Sequence, residues 1–168
     1  MSRLDSFIRR LEAQRSCLSA ACDRSSEVPG VVLELGLGNG RTFDHLREIC
    51  TRGRHRRDIY VFDRQVAAHP DCIPAPDRLF LGDFTDTLPQ ALHRLGPGAA
   101  AFVHVDLGSG DAAASRAFAA QIAPQIAALM APGAVLVSDQ PMPDPDLEPL
   151  DLPAGVKPGR YFMAEKQA

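Results

Sequence analysis

Residues Val31 to Gly40 read Val-Val-Leu-Glu-Leu-Gly-Leu-Gly-Asn-Gly, an apolar run that gives way to glycine at every second position. Val31 to Leu35 suits a strand buried on both faces of a parallel sheet. Gly36, Gly38 and Gly40 then permit backbone angles, and a close ligand approach, that a Cβ would block. The sequence from Arg41 has helical character, so the turn opens onto a helix N-terminus, whose unpaired N–H groups suit a nucleotide-like ligand. A strand, a glycine turn and a helix in that order restrict the chain to a narrow set of α/β folds.

The rest of the sequence continues the alternation. Strands are expected at 31–35, 58–62, 79–82, 100–105 and 134–138, with helices at 41–51, 86–95 and 111–130. That order predicts a doubly wound, Rossmann-like α/β sheet, mostly parallel, with helices on both faces. Ahead of it, residues 1–22 form an N-terminal helix with Leu4, Ile8, Leu11 and Leu18 on one stripe, and Ser2 and Asp5 at capping-box spacing. Three prolines between Ala67 and Arg78 preclude a long helix in the second crossover. A proline-rich acidic loop is expected over 140–158, and a last strand within 160–165, for about six strands in all. The single domain spans 1–168, with 31–139 as its ligand-binding core.

Composition narrows the function less than the motif does. A hydrophobic content of 45%, a charged content of 23% and a net charge of −3 fit an ordinary globular domain. That charge gives no general drive toward nucleic acid or an anionic membrane. The basic run Arg52, Arg54, His55, Arg56 and Arg57 precedes the second strand, away from the ligand end of the sheet, and reads as a solvated loop. No apolar run approaches the ~20 residues of a membrane span. The polar start and four cysteines without Cys-x-x-Cys spacing suggest free thiols in a cytoplasmic protein.

The glycine spacing separates two ligand classes. A dinucleotide fingerprint requires Gly-x-Gly-x-x-Gly, but here the third glycine comes one position early and Arg41 stands in its place. The stretch Glu34-Leu35-Gly36-Leu37-Gly38-Asn39-Gly40 instead resembles motif I of the class I S-adenosylmethionine (SAM) dependent methyltransferases. The resemblance implies SAM as cofactor, with Glu34 helping to hold the methionine amino group and the Gly36, Gly38, Asn39 and Gly40 turn cradling the ligand. A nucleotide-binding oxidoreductase using NAD and a SAM-binding protein without turnover stay as alternatives.

Ligands of an open parallel sheet sit beyond the carboxyl ends of its strands, so residues just after each strand carry the argument. Asp63, closing the second strand, offers a bidentate acceptor for adjacent ribose hydroxyls, the role implied by the resemblance; otherwise it simply ends a strand. Asp83 and Phe84 follow the third strand. The resemblance gives them the adenine amino group and ring, with helix capping as the competing role of Asp83. Thr85 or Asp86 is the expected cap, which leaves Asp83 free for the ligand. Asp106 ends the fourth strand, where methyl-transfer chemistry sits in the family. His104, inside that strand, reads as a core histidine, and Asp111 as the cap of the following helix.

Asp139 and Gln140 follow the fifth strand. With Asp106 they are similar to the Mg²⁺ ligands of catechol O-methyltransferase-like members, three oxygen donors suited to a hard cation. Asp86-Thr87-Leu88-Pro89-Gln90 is similar to the same family's segment after strand three. Gln140 stands where that family has Asn, and no lysine follows Asp106. Asp106 and Asp139 are the candidate groups for taking a proton from an acceptor hydroxyl or amine. The expected partner is a small-molecule acceptor, and the amphipathic first helix suggests a homo-oligomer.

Overall fold

The computed structural model describes residues 2–50, 56–108 and 110–168. Helix α1 (Arg3–Arg24) opens the chain, followed by β1 (Val31–Leu35), α2 (Arg41–Cys50), β2 (Ile59–Asp63) and β3 (Leu79–Leu81). Helix α3 (Phe84–Leu95), β4 (Ala100–Val105), α4 (Ala112–Leu129), β5 (Met130–Ser138), β6 (Leu147–Pro149) and β7 (Phe162–Lys166) complete it. The sheet order is β3-β2-β1-β4-β5-β7-β6. Strands β1 to β5 pair in parallel, while β7 runs antiparallel to β5 and β6 antiparallel to β7. Strand order therefore reverses between β1 and β4, and a crevice opens there at the carboxyl ends.

Alternation along the central strands explains their unbroken apolar sequences. Leu33, Leu35, Val103 and Val105 face α3 and α4, packing with Leu88, Ile122 and Ile126. Val32, Phe102, Val135 and Val137 face the other way, toward Leu18, Phe43 and Leu46 of α1 and α2. Both faces are covered, so every strand position needs an apolar side chain. Glu34 and His104 are the exceptions, cross-strand partners at equivalent register.

Helix α1 starts with the expected capping box: Asp5 N donates to Ser2 Oγ (3.0 Å) and Ser2 N to Asp5 Oδ2 (3.1 Å). Its apolar stripe divides in two. Leu18 is buried with Ala13, Cys17 and Ala21, whereas Leu4, Ile8 and Leu11 are exposed. The first half of the helix borders the crevice at the end of the sheet instead of packing flat on the strands.

Among the described residues the sheet has seven strands, not six. The additional strand β6 lies within the proline-rich segment read as a loop. It is an edge strand, where Pro149 sacrifices no central ladder bond. Strand β5 begins at Met130, directly out of α4, four residues earlier than its most apolar stretch suggests. The segment between β2 and β3 is irregular, with short 3₁₀ turns at Pro70–Cys72 and Pro76–Arg78. Of the basic run, Arg52, Arg54 and His55 lie outside the described residues. Arg57 donates to the backbone carbonyls of Ser25, Ser26 and Gly30, fastening the α1–β1 connection. Among the described residues, no helix is long and apolar enough to cross a membrane.

Candidate active site

A cavity of about 560 Å³ lies over the carboxyl ends of β1, β2 and β4, at the point where strand order reverses. Gly36 to Asn39 form one wall, Asp63 and Arg64 a second, and Asp106 to Gly108 a third. Phe84 and Phe118 supply an apolar side, stacked with ring centroids 6.2 Å apart.

The glycines of the first turn have different physical reasons. At Gly36 a Cβ would stand 2.5 Å from the Asp106 carbonyl oxygen, so this glycine lets the ends of β1 and β4 close up. At Gly40 a Cβ would stand 2.4 Å from the Cys72 Cβ, so the turn is pressed against the following crossover rather than against ligand space. Only Gly38 has both a left-handed backbone (φ +50°) and nothing within 4 Å of where its Cβ would point. The close approach expected at all three is available at that one. Asn39 Oδ1 accepts from Arg41 N (3.2 Å), opening α2.

Asp63 ties this turn to β2. Its Oδ2 accepts from Leu37 N (2.8 Å) and Gly38 N (3.1 Å), and its Oδ1 from Gln65 N (3.3 Å). The carboxylate is thus fixed at the cavity wall and keeps lone pairs for further donors.

Two expected ligand contacts lie off the wall. Glu34 is fully buried and does not line the cavity. Its Oε2 pairs with His104 Nδ1 at 2.7 Å, and its Oε1 has no hydrogen-bond partner among the described residues. Burial raises the Glu34 pKa against the opposing pull of His104. For His104, burial works against the charged ring, but Glu34, with Asp106 and Asp139, outweighs it, and the net displacement is upward. His104 is a core histidine, as its position suggests, though one that balances a buried acid. Asp83 occupies the N-cap position of α3 in place of Thr85 or Asp86. Its carbonyl accepts from Asp86 N and Thr87 N, while its side chain makes no cap bond and pairs with Arg64. Asp83 does not line the cavity, whereas Phe84 does.

Asp106 and Asp139 close adjacent strands but are engaged differently. Asp106 lines the cavity and accepts from Arg10 Nη2 (3.0 and 2.8 Å) and Gln14 Nε2 (3.2 Å). Asp139 accepts from the backbone of the loop after β4, at Leu107 N (3.0 Å) and Gly108 N (3.4 Å), and from Gln140 Nε2 (3.4 Å). Neither Asp139 nor Gln140 lines the cavity. The expected Mg²⁺ set of Asp106, Asp139 and Gln140 has its two acids engaged by protein donors. A guanidinium neutralises the first acid and amide donors occupy the second. Asp111 caps α4, accepting from Ala113 N and Ala114 N.

The fourth wall was missed in the sequence. Phe7, Arg10, Leu11 and Gln14 of α1 all face the cavity, with Gln14 buried between Asp106 and His104. Their i, i+3, i+4, i+7 spacing marks one helix face. The signal was present, but two of the four residues are polar, and a search for an apolar stripe passes over them.

A family model described as S-adenosyl-L-methionine methyltransferase matches residues 1–166. The chain belongs to this family. An S-adenosyl-L-methionine methyltransferase from Silicibacter pomeroyi DSS-3 is 43% identical, covers 99% of each chain and superposes with a TM-score of 0.90. A TDP-rhamnose 3′-O-methyltransferase of calicheamicin biosynthesis shares the fold at 19% identity, with 97% of this chain and 83% of that one covered and a TM-score of 0.61. A putative methyltransferase from Thermobifida fusca YX does so at 12% identity, with 98% of this chain and 82% of that one covered and a TM-score of 0.59. A search of curated proteins returned no match. This methyltransferase is therefore an enzyme whose family cofactor is SAM, and the NAD-type reading has no support.

Proposed function

We propose that this methyltransferase binds SAM across the ends of β1 and β2 and passes its methyl group to an oxygen or nitrogen of a small molecule held between Asp106 and α1. The observation that carries the reading is the open position at Gly38 facing a cavity that also holds the Asp63 carboxylate and the Phe84 ring. The fit is chemical as well as spatial. Asp63 has acceptor capacity for ribose hydroxyls, and Phe84 with Phe118 offers an apolar surface for a purine. SAM supplies an activated methyl on a sulfonium, which leaves as a neutral thioether.

The task left to the protein is alignment and removal of one proton. Arg10 and Gln14 hold the Asp106 carboxylate in one orientation at the cavity wall, and its remaining lone pairs serve as acceptor for a hydroxyl or amine proton. Asp139 has a positioning role, holding the loop after β4 by its amides. Glu34 contributes through His104 rather than by touching the cofactor. Incubation with methyl-labelled SAM and a small-molecule extract tests the reading: labelled product is expected, and its loss in Asp106→Asn. A wild-type enzyme that binds SAM yet labels only macromolecules contradicts it.

Leu4, Phe7, Ile8 and Leu11 leave 37–66% of their surface exposed on two turns of α1. A continuous apolar stripe of this kind supports association into a homo-oligomer. The four free thiols support a reducing, cytoplasmic setting.

A further inference from the structure

The far flank of α1 carries a second cleft, of about 470 Å³, between that helix and the turn at 154–160. Arg9, Arg15, Lys157 and Arg160 line it, with Glu12 as its one acid. Outside the cleft, Arg57 and Arg94 bond to backbone carbonyls and five arginines are neutralised by acids. Arg10, Arg24, Arg47, Arg64 and Arg78 each meet a carboxylate. In the cleft, among the described residues, Arg9, Arg15 and Lys157 have no such partner, and Arg160 donates only to Ser6 Oγ (3.3 Å). Glu12 sits among them without forming an ion pair with any described residue.

We infer that this cleft binds a phosphoryl-bearing anion. Four convergent cations exceed what a single carboxylate balances, and guanidinium forks match the oxygens of a phosphate. The turn opposite α1 closes through Val156 N and the Pro153 carbonyl (3.0 Å), and Gly155 adopts φ +88° with nothing within 4 Å of its missing Cβ. Backbone on that side therefore stays open to a ligand. The volume approaches that of the methyl-transfer cavity, enough for a phosphorylated small molecule rather than a lone ion. Helix α1 is the wall common to both cavities, and a ligand in the cleft braces the helix that carries Arg10 and Gln14.

Inorganic pyrophosphate is the probe. Calorimetry on the wild type should show binding that weakens as salt is raised, and Arg15→Glu/Lys157→Glu should weaken it by about tenfold or more. SAM affinity should be unchanged in that variant, because neither exposed side chain lines the methyl-transfer cavity; it also reports an intact fold. Equal pyrophosphate binding by wild type and variant, or none by either, overturns the site, as does binding confined to acidic peptides. These results do not depend on methyl transfer. A further arm separates two sources of the anion. If phosphatase treatment of the extract abolishes labelling from SAM, the phosphoryl group belongs to the acceptor. If labelling persists while pyrophosphate still binds, the cleft serves a separate ligand.

Discussion

Arg10, on the N-terminal helix, meets both carboxylate oxygens of Asp106 at the end of β4, at 3.0 and 2.8 Å. The contact joins the first secondary-structure element of the chain to the wall where the acceptor is proposed to react. Burial opposes the charge on Arg10, and Asp106, together with Tyr161 and Asp139, more than restores it.

Removing that tie should affect function more than stability. Arg10 keeps 39% of its side-chain surface exposed, so the screened pair contributes only about 0.5–1 kcal/mol. Arg10→Ala is expected to lower urea stability by no more than that, while methyl transfer falls at least about tenfold. Unchanged transfer in Arg10→Ala would show that orientation of Asp106 does not depend on α1.

Glu34 and His104 give the opposite balance. His104→Ala leaves a buried carboxylate alone, at a cost of about 3–5 kcal/mol, measurable by urea unfolding. Because the folded His104 pKa is raised above its usual 6.5, its contribution is complete below that value and is lost as pH rises through the folded one. NMR should place His104 titration above 6.5, and Glu34→Gln should lower it. Titration at or below 6.5 in the wild type contradicts the ion pair.

The glycines separate packing from ligand space. Gly40→Ala forces a Cβ toward Cys72 at a left-handed backbone position and should cost about 1–3 kcal/mol of stability. Gly38→Val should cost less stability, yet abolish detectable SAM binding. If thermal melting ranks Gly38→Val as the more damaging, the assignment of these two positions is reversed.

Cys22 and Cys50 lie with sulfurs 4.0 Å apart. Hydrogen bonding from Cys50 lowers the Cys22 pKa to about 7, whereas burial pushes Cys17 up to about 11. Alkylation followed by mass spectrometry should label Cys22 before Cys17, with a rate that rises as pH passes through 7. Equal labelling of the two contradicts the thiolate at Cys22.

The parts of the fold visible in the sequence were those under the strictest local constraint. Val31 to Leu35 is apolar at nearly every position because both faces are covered, and Gly36 to Gly40 permits turns few other residues allow. These two features located β1, its turn and the cavity. Strand β6 was hidden because Pro149 and its acidic neighbours are tolerated only at an edge, and edge pairing leaves no periodic mark. Arg10 and Gln14 were hidden for a different reason: their partner, Asp106, lies far along the sequence, and helix periodicity says nothing about what a polar residue meets. Glu34 shows the limit of a motif, which gives a residue's place but not the direction of its side chain.

Calorimetric titration of the wild type and Asp63→Ala with SAM, and of the wild type with NAD, tests the central claim most directly. SAM should bind the wild type in the micromolar range, about −7 to −8 kcal/mol, with no heat from NAD. Asp63→Ala should lose about 1.5–3 kcal/mol of that affinity, the worth of hydrogen bonds to a charged acceptor. Heat from NAD with none from SAM, or an Asp63→Ala variant that binds SAM as tightly as the wild type, would contradict it.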